Sequence, residues 1–337
     1  MSVDRAYPID FVLPWVDGTD PAWREEKNKY SGEVSSSVHS FDYQDWGLLP
    51  YWFRCIEKNA PWVRNVYFVT WGHIPAWLNV NHPKLKIIKH TDYIPNKYLP
   101  TFSSHAIELN LHRIPGLSEH FVYFNDDMYL IRQVRPEFFF KNNLPCDCAV
   151  INPIAPANKN CIANLMTTTT GVINENFSKR QSIRKNPDKW INMRYFPLVL
   201  LNLMFIPWGR FVGLYESHLP TSMLKSTYEE VWKKEYDLLD HTCKHRFRDF
   251  KTDVNQWIMK EWQIASGRFS PRSIRAGKRF AVYNVDDAEK CAEIIEKQKA
   301  PMVCINDHIT GSDYLEAAKV IRSAFEKKYS VKSSFEI

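Results

Sequence analysis

The most informative stretch of this chain is Phe121-Val122-Tyr123-Phe124-Asn125-Asp126-Asp127. Four aromatic or β-branched residues in a row predict a buried strand, and an amide and two carboxylates follow it directly. Ligands of open α/β sheets bind just beyond the carboxyl ends of the strands. We therefore expect Asp126 and Asp127 to hold a divalent cation against a diphosphate. A solvated turn is the alternative, because Asn and Asp are common turn residues.

Outward from this stretch, strands and helices alternate, which predicts an α/β fold with a mainly parallel, doubly wound sheet. A β-α-β-α addition is predicted at the C-terminal end. The predicted strands are 9–13, 65–70, 85–88, 121–124, 280–285 and 302–305, and the predicted helices are 48–58, 104–114, 252–265, 287–298 and 313–329. Residues 141–215 lose this rhythm and are interpreted as an insertion or lid. A capping box is predicted from Ser226 to Glu229, where the chain becomes helical again.

Composition narrows the class of protein. The 337 residues carry a formal charge of +6 and seven scattered cysteines, which do not resemble a disulfide framework. The longest apolar stretch, 197–207, is shorter than the ~20 residues of a membrane span. These features predict a cytoplasmic protein. Peripheral membrane contact stays open, and the best candidates for it are basic residues of the last helix, Lys319, Arg322, Lys327 and Lys328.

A basic loop at 267–279 holds five cations and no acid. It could follow a polyanionic chain, or it could be a solvated loop. Nucleic acid is not expected as a partner, since no nucleic-acid-binding signature accompanies the loop.

The helix predicted after Ser104 has two chemically different sides. Helical spacing places His105, Glu108 and His112 nearly opposite Ile107 and its apolar neighbours. A solvated polar face is one interpretation. The functional interpretation is that His105 and Glu108 lie in the first turn, where a helix N-terminus favours phosphate.

Further candidates lie at other turns and in one dense basic segment. Asp17 follows the first strand in a Val-Asp-Gly turn and is expected at the same sheet edge as Asp126 and Asp127. His218 precedes a predicted helix and suits general-base work on a hydroxyl, and Lys225 could meet a phosphate. If their segment is extended, Arg246 and Arg248 share one side and suit a diphosphate; a solvated linker is the alternative.

Four blocks of this sequence resemble the Stealth family of capsule-polymer phosphotransferases. They are Ile9-Asp10-Phe11-Val12-Leu13-Pro14-Trp15-Val16-Asp17-Gly18, the region from Arg54 to Asp127, the region from Ser217 to Asp249, and Ile305-Asn306-Asp307. One stretch, 41–52, departs from the family pattern because it lacks an Arg-Tyr-like pair. This departure puts a phosphate contact from that stretch in doubt.

The resemblance implies that a hexose- or hexosamine-1-phosphate moves from a UDP-sugar to a polysaccharide hydroxyl, releasing UMP. It implies a Rossmann-like or GT-A-like sheet divided into a nucleotide-sugar and metal-binding part (1–140), an acceptor-side insertion or lid (141–215) and a catalytic helical segment with the C-terminal completion (216–337). The implied partners are the UDP-sugar donor, an anionic polysaccharide acceptor, and the inner membrane or the capsule export machinery.

The resemblance also implies roles for the candidate residues. Asp126 and Asp127, with Asp17, would position Mg²⁺ or Mn²⁺, and His218 would accept the hydroxyl proton. Arg246 and Arg248 would neutralise phosphoryl charge, and Asp249 would orient His218 or Arg248. The expected substrate-binding residues are Thr101, Ser104, His105, Glu108, Asn125, Lys225, Arg246 and Asn255.

Two other functions stay open on the sequence. A plain UDP-sugar glycosyltransferase would use the same carboxylates and release UDP. A non-catalytic capsule scaffold would bind polysaccharide through its many aromatic residues.

Overall fold

The computed structural model describes residues 7–31, 46–159, 161–309, 311 and 313–337. Its strands are β1 Ile9–Pro14, β2 Val66–Thr70, β3 Leu85–Lys89, β4 His120–Tyr123, β5 Met128–Leu130, β6 Phe140–Lys141, β7 Leu144–Asp147, β8 Thr221–Leu224, β9 Ser270–Pro271, β10 Gly277–Val282 and β11 Met302–Asp307.

Its helices are α1 Pro21–Ser31, α2 Leu49–Asn59, α3 Ser104–Leu109, α4 Ile162–Asn176, α5 Lys179–Lys185, α6 Pro187–Trp190, α7 Val199–Phe205, α8 Lys225–Lys234, α9 Tyr236–Lys244, α10 Trp257–Ala265, α11 Val285–Glu296 and α12 Asp313–Lys328. Residues 41–45 of the stretch that departs from the family pattern lie outside the described residues. In the described part of the chain, no helix combines the length and apolar character that crossing a bilayer requires.

The central sheet has five strands in the order β3-β2-β1-β4-β8. The first four are parallel, which confirms the predicted mainly parallel sheet. The fifth, β8, runs antiparallel to β4, with Tyr123 opposite Thr221 and His120 opposite Leu224. This strand was not predicted, because four residues between Pro220 and a helix give too short a pattern to recognise.

Buried side chains alternate between the two faces of this sheet. Phe11 and Leu13 pack into a core with α2, α11 and α12, whereas Val12 packs into a second core with α3, α8, α9 and α10. Successive side chains of a strand point to opposite faces, so a strand with apolar residues at every position needs a layer of helices on each side. The doubly wound arrangement follows from this pattern.

The predicted C-terminal β-α-β-α addition is confirmed. Strands β10 and β11 pair in parallel, and β5 joins β11 in antiparallel orientation. Helix α11 packs on β10, and α12 packs against α11. Residues of this addition share one core with β1 and α2. The addition therefore helps to fix the position of the segment after β4.

The region 141–215 contains four helices packed on the body of the fold. Trp190 and Tyr195 are fully buried, and the Ser182 hydroxyl donates to the Ala265 carbonyl of α10. The Asn202 side chain donates to the Ala149 and Trp190 carbonyls and accepts from the Ile151 amide. These bonds anchor the region, and its role as an acceptor-side lid stays a prediction.

Three local predictions need correction. The capping box is wrong, because the Ser226 hydroxyl donates to Glu119 and the helix begins at Lys225. The helix predicted over 252–265 begins at Trp257, since the Asp253 side chain is used in long-range contacts. The helix after Ser104 ends at Leu109, and a 3₁₀ turn follows it.

Candidate active site

A cleft of about 280 Å³ opens at the carboxyl edge of the central sheet, where β1 and β4 end. Six of the predicted site residues line it together: Thr101, Ser104, Glu108, Asn125, Asp126 and Arg248. The aromatic side chains of Trp15, Trp23, Phe102 and Tyr123 complete much of its wall. The position agrees with the rule that ligands bind beyond the carboxyl ends of parallel strands.

A second, larger cavity of about 370 Å³ lies at the start of β1, lined by Tyr7, Ile9, Arg64 and Phe140 among others. It contains none of the predicted site residues. Size alone therefore does not identify the site, and the cleft beside Asp126 is the candidate on chemical grounds.

The first turn of α3 is buried, so its interpretation as a solvated polar face is wrong. His105, Glu108 and His112 are each less than a tenth exposed. Burial raises the pKa of Glu108, and the charges of His105 and Arg248 and a bond from the Gln256 amide only partly oppose this shift. Glu108 is thus a cleft carboxyl group that gains a proton more readily than a surface one.

Asp253 joins α3 to the segment that carries Arg248. One carboxylate oxygen lies 2.9 Å from His105 Nδ1, and the other lies 2.6 Å from His245 Nδ1. The Asp249 amide also donates to Asp253, over 2.9 Å. Burial would raise the pKa of Asp253, but these hydrogen bonds outweigh it and lower the pKa.

An ionised Asp253 accepts a hydrogen bond from each ring, which fixes Nδ1 of both histidines as the nitrogen that carries the hydrogen. His105 is therefore held in one orientation, buried next to the cleft-lining Ser104 and not part of the cleft lining itself. Sequence reasoning missed Asp253, because its partners are 148 residues and 8 residues away and share no local pattern with it.

The two arginines predicted to act together have different surroundings. The chain bends at 246–247 instead of extending. Arg246 Nη1 donates to the Pro100 carbonyl over 2.8 Å, and its guanidinium lies 4.3 Å from the centre of the Tyr30 ring. Arg248 is exposed and lines the cleft. The structure thus brings Arg248, and not Arg246, to the cleft lining.

Asp127 belongs to a second group of side chains, separate from the cleft lining. Its Oδ2 lies 3.5 Å from His218 Nε2 and accepts from Cys304 Sγ over 3.1 Å. Its Oδ1 is buried and has no hydrogen-bond partner among the described residues. The Asp127 carbonyl accepts from the Ile305 amide, so β11 holds this residue in place.

The antiparallel direction of β8 explains why His218 reaches Asp127. Because Thr221 pairs with Tyr123, the residues just before β8 lie beside the residues just after β4. His218 adopts a left-handed backbone with φ 49, and its amide donates to Glu216 over 2.8 Å. A non-glycine residue in this conformation costs on the order of 1 kcal/mol, and such strain clusters at functional sites.

Charge around His218 favours its protonated form. Burial by itself would lower the pKa of His218, but the contact with Asp127 and the charge of Glu216 raise it above its ordinary value. Lys260 Nζ donates to Glu216 over 2.8 Å and holds that carboxylate in place. Burial, together with Asp127, raises the pKa of Cys304, so this side chain is a thiol that donates to the carboxylate.

Asp127, His218 and Cys304 each offer one ligand atom, and these atoms lie within 4.8 Å of one another. The unpartnered Oδ1 of Asp127 shows that this group has spare capacity to bind a cation or a donor. These three ligand atoms include a nitrogen and a sulfur, which are common ligands of zinc and poor ligands of magnesium. The carboxylate of Asp126 at the cleft is an oxygen ligand of the kind that magnesium prefers.

Three other predicted residues have local partners. The Asp17 carboxylate accepts from the amide and hydroxyl of Thr19. The Asn255 side chain accepts from the Trp257 amide, and the Asp249 carboxylate accepts from Lys251 and Thr252. The carboxylate that lies beside His218 is that of Asp127, and the Asp249 carboxylate is bonded within its own turn. The orientation of His218 or Arg248 by Asp249 stays a prediction.

Lys225 lies at the opposite edge of the sheet from the cleft. It follows β8, whose last residue pairs with the first residue of β4, and its amide donates to the Glu119 carbonyl. The predicted phosphate contact of Lys225 is wrong for this reason. On α12, Arg322 donates to the Trp46 carbonyl and Lys327 pairs with Glu296.

Arg279 of the basic loop is a cation near His218 that was not singled out from the sequence. It is exposed, and its positive charge partly opposes the rise in the pKa of His218 and of Cys304. Its Nη2 donates to Asn306 Oδ1 over 3.2 Å. Only the pairing of β10 with β11 brings it to this edge, which a sequence pattern does not reveal.

The fold is α/β, with a candidate active site at the carboxyl edge of its central sheet. The chain belongs to the Stealth family: conserved region 1 of Stealth proteins matches residues 7–35, and conserved region 2 matches residues 42–147.

Several relatives cover nearly the whole chain, and two of them illustrate the family. The capsular polysaccharide phosphotransferase WcwK of Streptococcus pneumoniae is 43% identical over 97% of this chain and 98% of its own length. The exopolysaccharide phosphotransferase cps2G of Lactiplantibacillus plantarum is 40% identical over 100% of this chain and 98% of its own length. Among solved structures, the galactosyltransferase LgtC in complex with donor and acceptor sugar analogs aligns with 96% of this chain and 98% of its own. The sequence identity is 9%, and the TM-score is 0.40.

Proposed function

We propose that this enzyme transfers a sugar-1-phosphate, of the hexose or hexosamine class, from a UDP-sugar to a hydroxyl of an anionic capsular polysaccharide. UMP is released and a phosphodiester forms. One observation carries the proposal: His218 faces Asp127 at the sheet edge that also holds the cleft with Asp126, Glu108 and Arg248. Relatives named as polysaccharide phosphotransferases support it.

His218 acts as the general base. A hydrogen on Nε2 faces the Asp127 carboxylate, which leaves Nδ1 free to accept the proton of the acceptor hydroxyl. The hydroxyl oxygen then bonds to the β-phosphorus, and the bond from that phosphorus to the bridging oxygen of UMP breaks. The proton ends on His218, and UMP carries away the electron pair of the broken bond.

Cations stabilise the charge that builds on the phosphoryl group. Arg248, which lines the cleft, and Arg279, whose charge acts on His218, are exposed guanidiniums that could supply the neutralising charge. Phosphoryl transfer depends mainly on such neutralisation and on in-line placement, since the protein forms no covalent intermediate. Glu108, with its raised pKa, suits a hydrogen bond to the donor sugar.

Mg²⁺ or Mn²⁺ fits the oxygen atoms present: the Asp126 carboxylate at the cleft and the unpartnered Oδ1 of Asp127 would hold it. When bound, the ion would neutralise the diphosphate. Contact with capsule export machinery and a cytoplasmic location stay predictions.

The test separates binding from transfer. Purified enzyme and a His218→Ala variant are incubated with a panel of UDP-sugars, Mg²⁺ and short acceptor oligosaccharides, and both nucleotide and polymer products are identified by mass. We expect UMP and a phosphodiester product from the wild type, and near-normal donor binding without transfer from the variant. UDP as the product would establish a glycosyltransferase. Polysaccharide binding without turnover of any donor would establish a scaffold.

A further inference from the structure

An unusual concentration of apolar side chains is exposed around α7. Of 17 large hydrophobic residues that are exposed in the described chain, eight fall between 191 and 208. The most exposed include Met193 at 74%, Met204 at 57%, Leu200 at 56% and Trp208 at 55%. Exposed apolar residues are normally scattered singly, and a continuous patch marks a surface that binds something. We call residues 191–210 the apolar surface.

The backbone beneath this surface is firmly held. Val199 and Asn202 on the inner side of α7 are buried, and Asn202 makes three hydrogen bonds to neighbouring backbone. The buried Lys179 donates to the Phe205 carbonyl at the end of α7. Leu200, Leu203 and Met204, spaced to share one helix face, therefore point outward because the fold holds them there.

The C-terminal end of the apolar surface is the most continuously exposed part of it. Seven of the eight residues from 203 to 210 are exposed, including Trp208. Trp has an apolar ring and one N–H donor, and it is favoured where an apolar phase meets water.

The charge around the apolar surface is strongly positive. Residues 176–215 contain seven basic residues and one acid, Asp188. Lys179 is buried, but Arg180, Arg184, Lys185, Arg194 and Arg210 are exposed. None of these five pairs with a carboxylate in the part of the chain that the structure describes. Their charge is available to an external anionic partner.

We propose that the apolar surface docks the enzyme on an anionic phospholipid bilayer, with the α7 side chains inserted and the five basic residues against the head groups. Interfacial segments combine Trp, Phe and Leu with flanking Lys and Arg in this way. A symmetric contact with a second copy of the chain would set the same cations against each other, which opposes dimerisation. The inference does not depend on the proposed reaction.

The surface differs from the one predicted on the last helix. There, Lys327 is paired with Glu296 and Arg322 with the Trp46 carbonyl. Substitutions made separately in the apolar surface and on α12 can therefore distinguish the two surfaces.

Vesicle flotation tests the proposal with the full chain. Wild-type protein is mixed with vesicles of phosphatidylcholine alone or of phosphatidylcholine with phosphatidylglycerol, and the bound fraction is measured. We expect binding to the anionic vesicles, weakened by salt. The double variant Leu203→Ser/Met204→Ser should lower partitioning by roughly ten-fold or more. Arg194→Gln and Arg210→Gln should each lower it by about five-fold.

The control is Leu315→Ser, which removes a still more exposed leucine from α12 and should leave partitioning unchanged. Circular dichroism and the reaction with a soluble acceptor should be unchanged in every variant, which excludes misfolding. The proposal is overturned if the wild type does not float with anionic vesicles, or if the Leu203/Met204 variant floats as well as the wild type. It is also overturned if light scattering shows a dimer that these substitutions dissociate.

Discussion

His218 Nε2 lies 3.5 Å from Asp127 Oδ2, across two strands that run in opposite directions. His218 lies in the loop before β8, and Asp127 lies in the turn between β4 and β5. Cys304 of β11 donates to the same carboxylate oxygen. Three distant parts of the chain thus meet at one carboxylate, which orients the proposed base.

The pH dependence of the reaction should report the pair of His218 and Asp127. A general base acts when neutral, so kcat/KM should rise as the pH increases through the raised pKa of His218. Asp127→Asn removes the charge that raises this pKa. The rising limb should move to lower pH, and kcat should fall roughly 10²–10⁴-fold. A pH profile that does not move would show that Asp127 does not control the base.

Cys304 should act as a positioning residue through its hydrogen bond to Asp127. Cys304→Ser retains a donor and should keep most of the activity, whereas Cys304→Ala removes it and should lower kcat with little change in KM. The acid limb of the pH profile should shift in the alanine variant only. Equal loss of activity in both variants, with equal loss of thermal stability, would indicate a packing role instead.

Arg248 and Arg246 form a natural pair for comparison, because they are close in sequence but only Arg248 lines the cleft. Arg248→Ala should lower kcat by roughly 10²-fold or more through lost charge stabilisation. Arg246→Ala loses the bond to the Pro100 carbonyl and should act mainly on stability. Steady-state kinetics and thermal unfolding of the two variants check this difference. The reverse result would place Arg246 at the reacting phosphate.

Asp253 should be essential for the stability of the site. Asp253→Ala leaves two histidines without their carboxylate and should lower the free energy of unfolding by about 3 kcal/mol. Asp253 has a lowered pKa in the folded state, so its contribution is complete above its unfolded pKa of about 3.9. The contribution is lost as the pH falls below that value through the lower folded pKa.

Chemical denaturation of the wild type and Asp253→Asn across this range checks the sign. The stability difference between them should be constant near neutral pH and shrink below about pH 4. A difference that grows on acidification would contradict the assigned ionisation.

Several features of the site could be predicted because they are local in sequence. The apolar run before Asn125 gives β4, and its polar continuation gives the position of Asp126 at the sheet edge. The length and alternation of the C-terminal elements likewise gave both final strands and helices.

Other features depend on long-range packing, and sequence patterns do not carry them. The polar side of α3 looks solvated, but the segment around Asp253 covers it. Lys225 was expected at the site because β8 was not recognised. This antiparallel strand carries the chain from the carboxyl edge of the sheet to the opposite edge, where Lys225 lies. Only the second sheet brings Cys304 to Asp127 and places the charge of Arg279 near Cys304.

The most direct measurement of the central claim follows the β-phosphate of the donor. A UDP-sugar labelled with ³²P at the β position is incubated with enzyme, Mg²⁺ and acceptor, and the label is traced. The account predicts that the label enters the polymer as a phosphodiester while unlabelled UMP accumulates, and that His218→Ala abolishes both. Label recovered in UDP, with an unlabelled polymer, would contradict it.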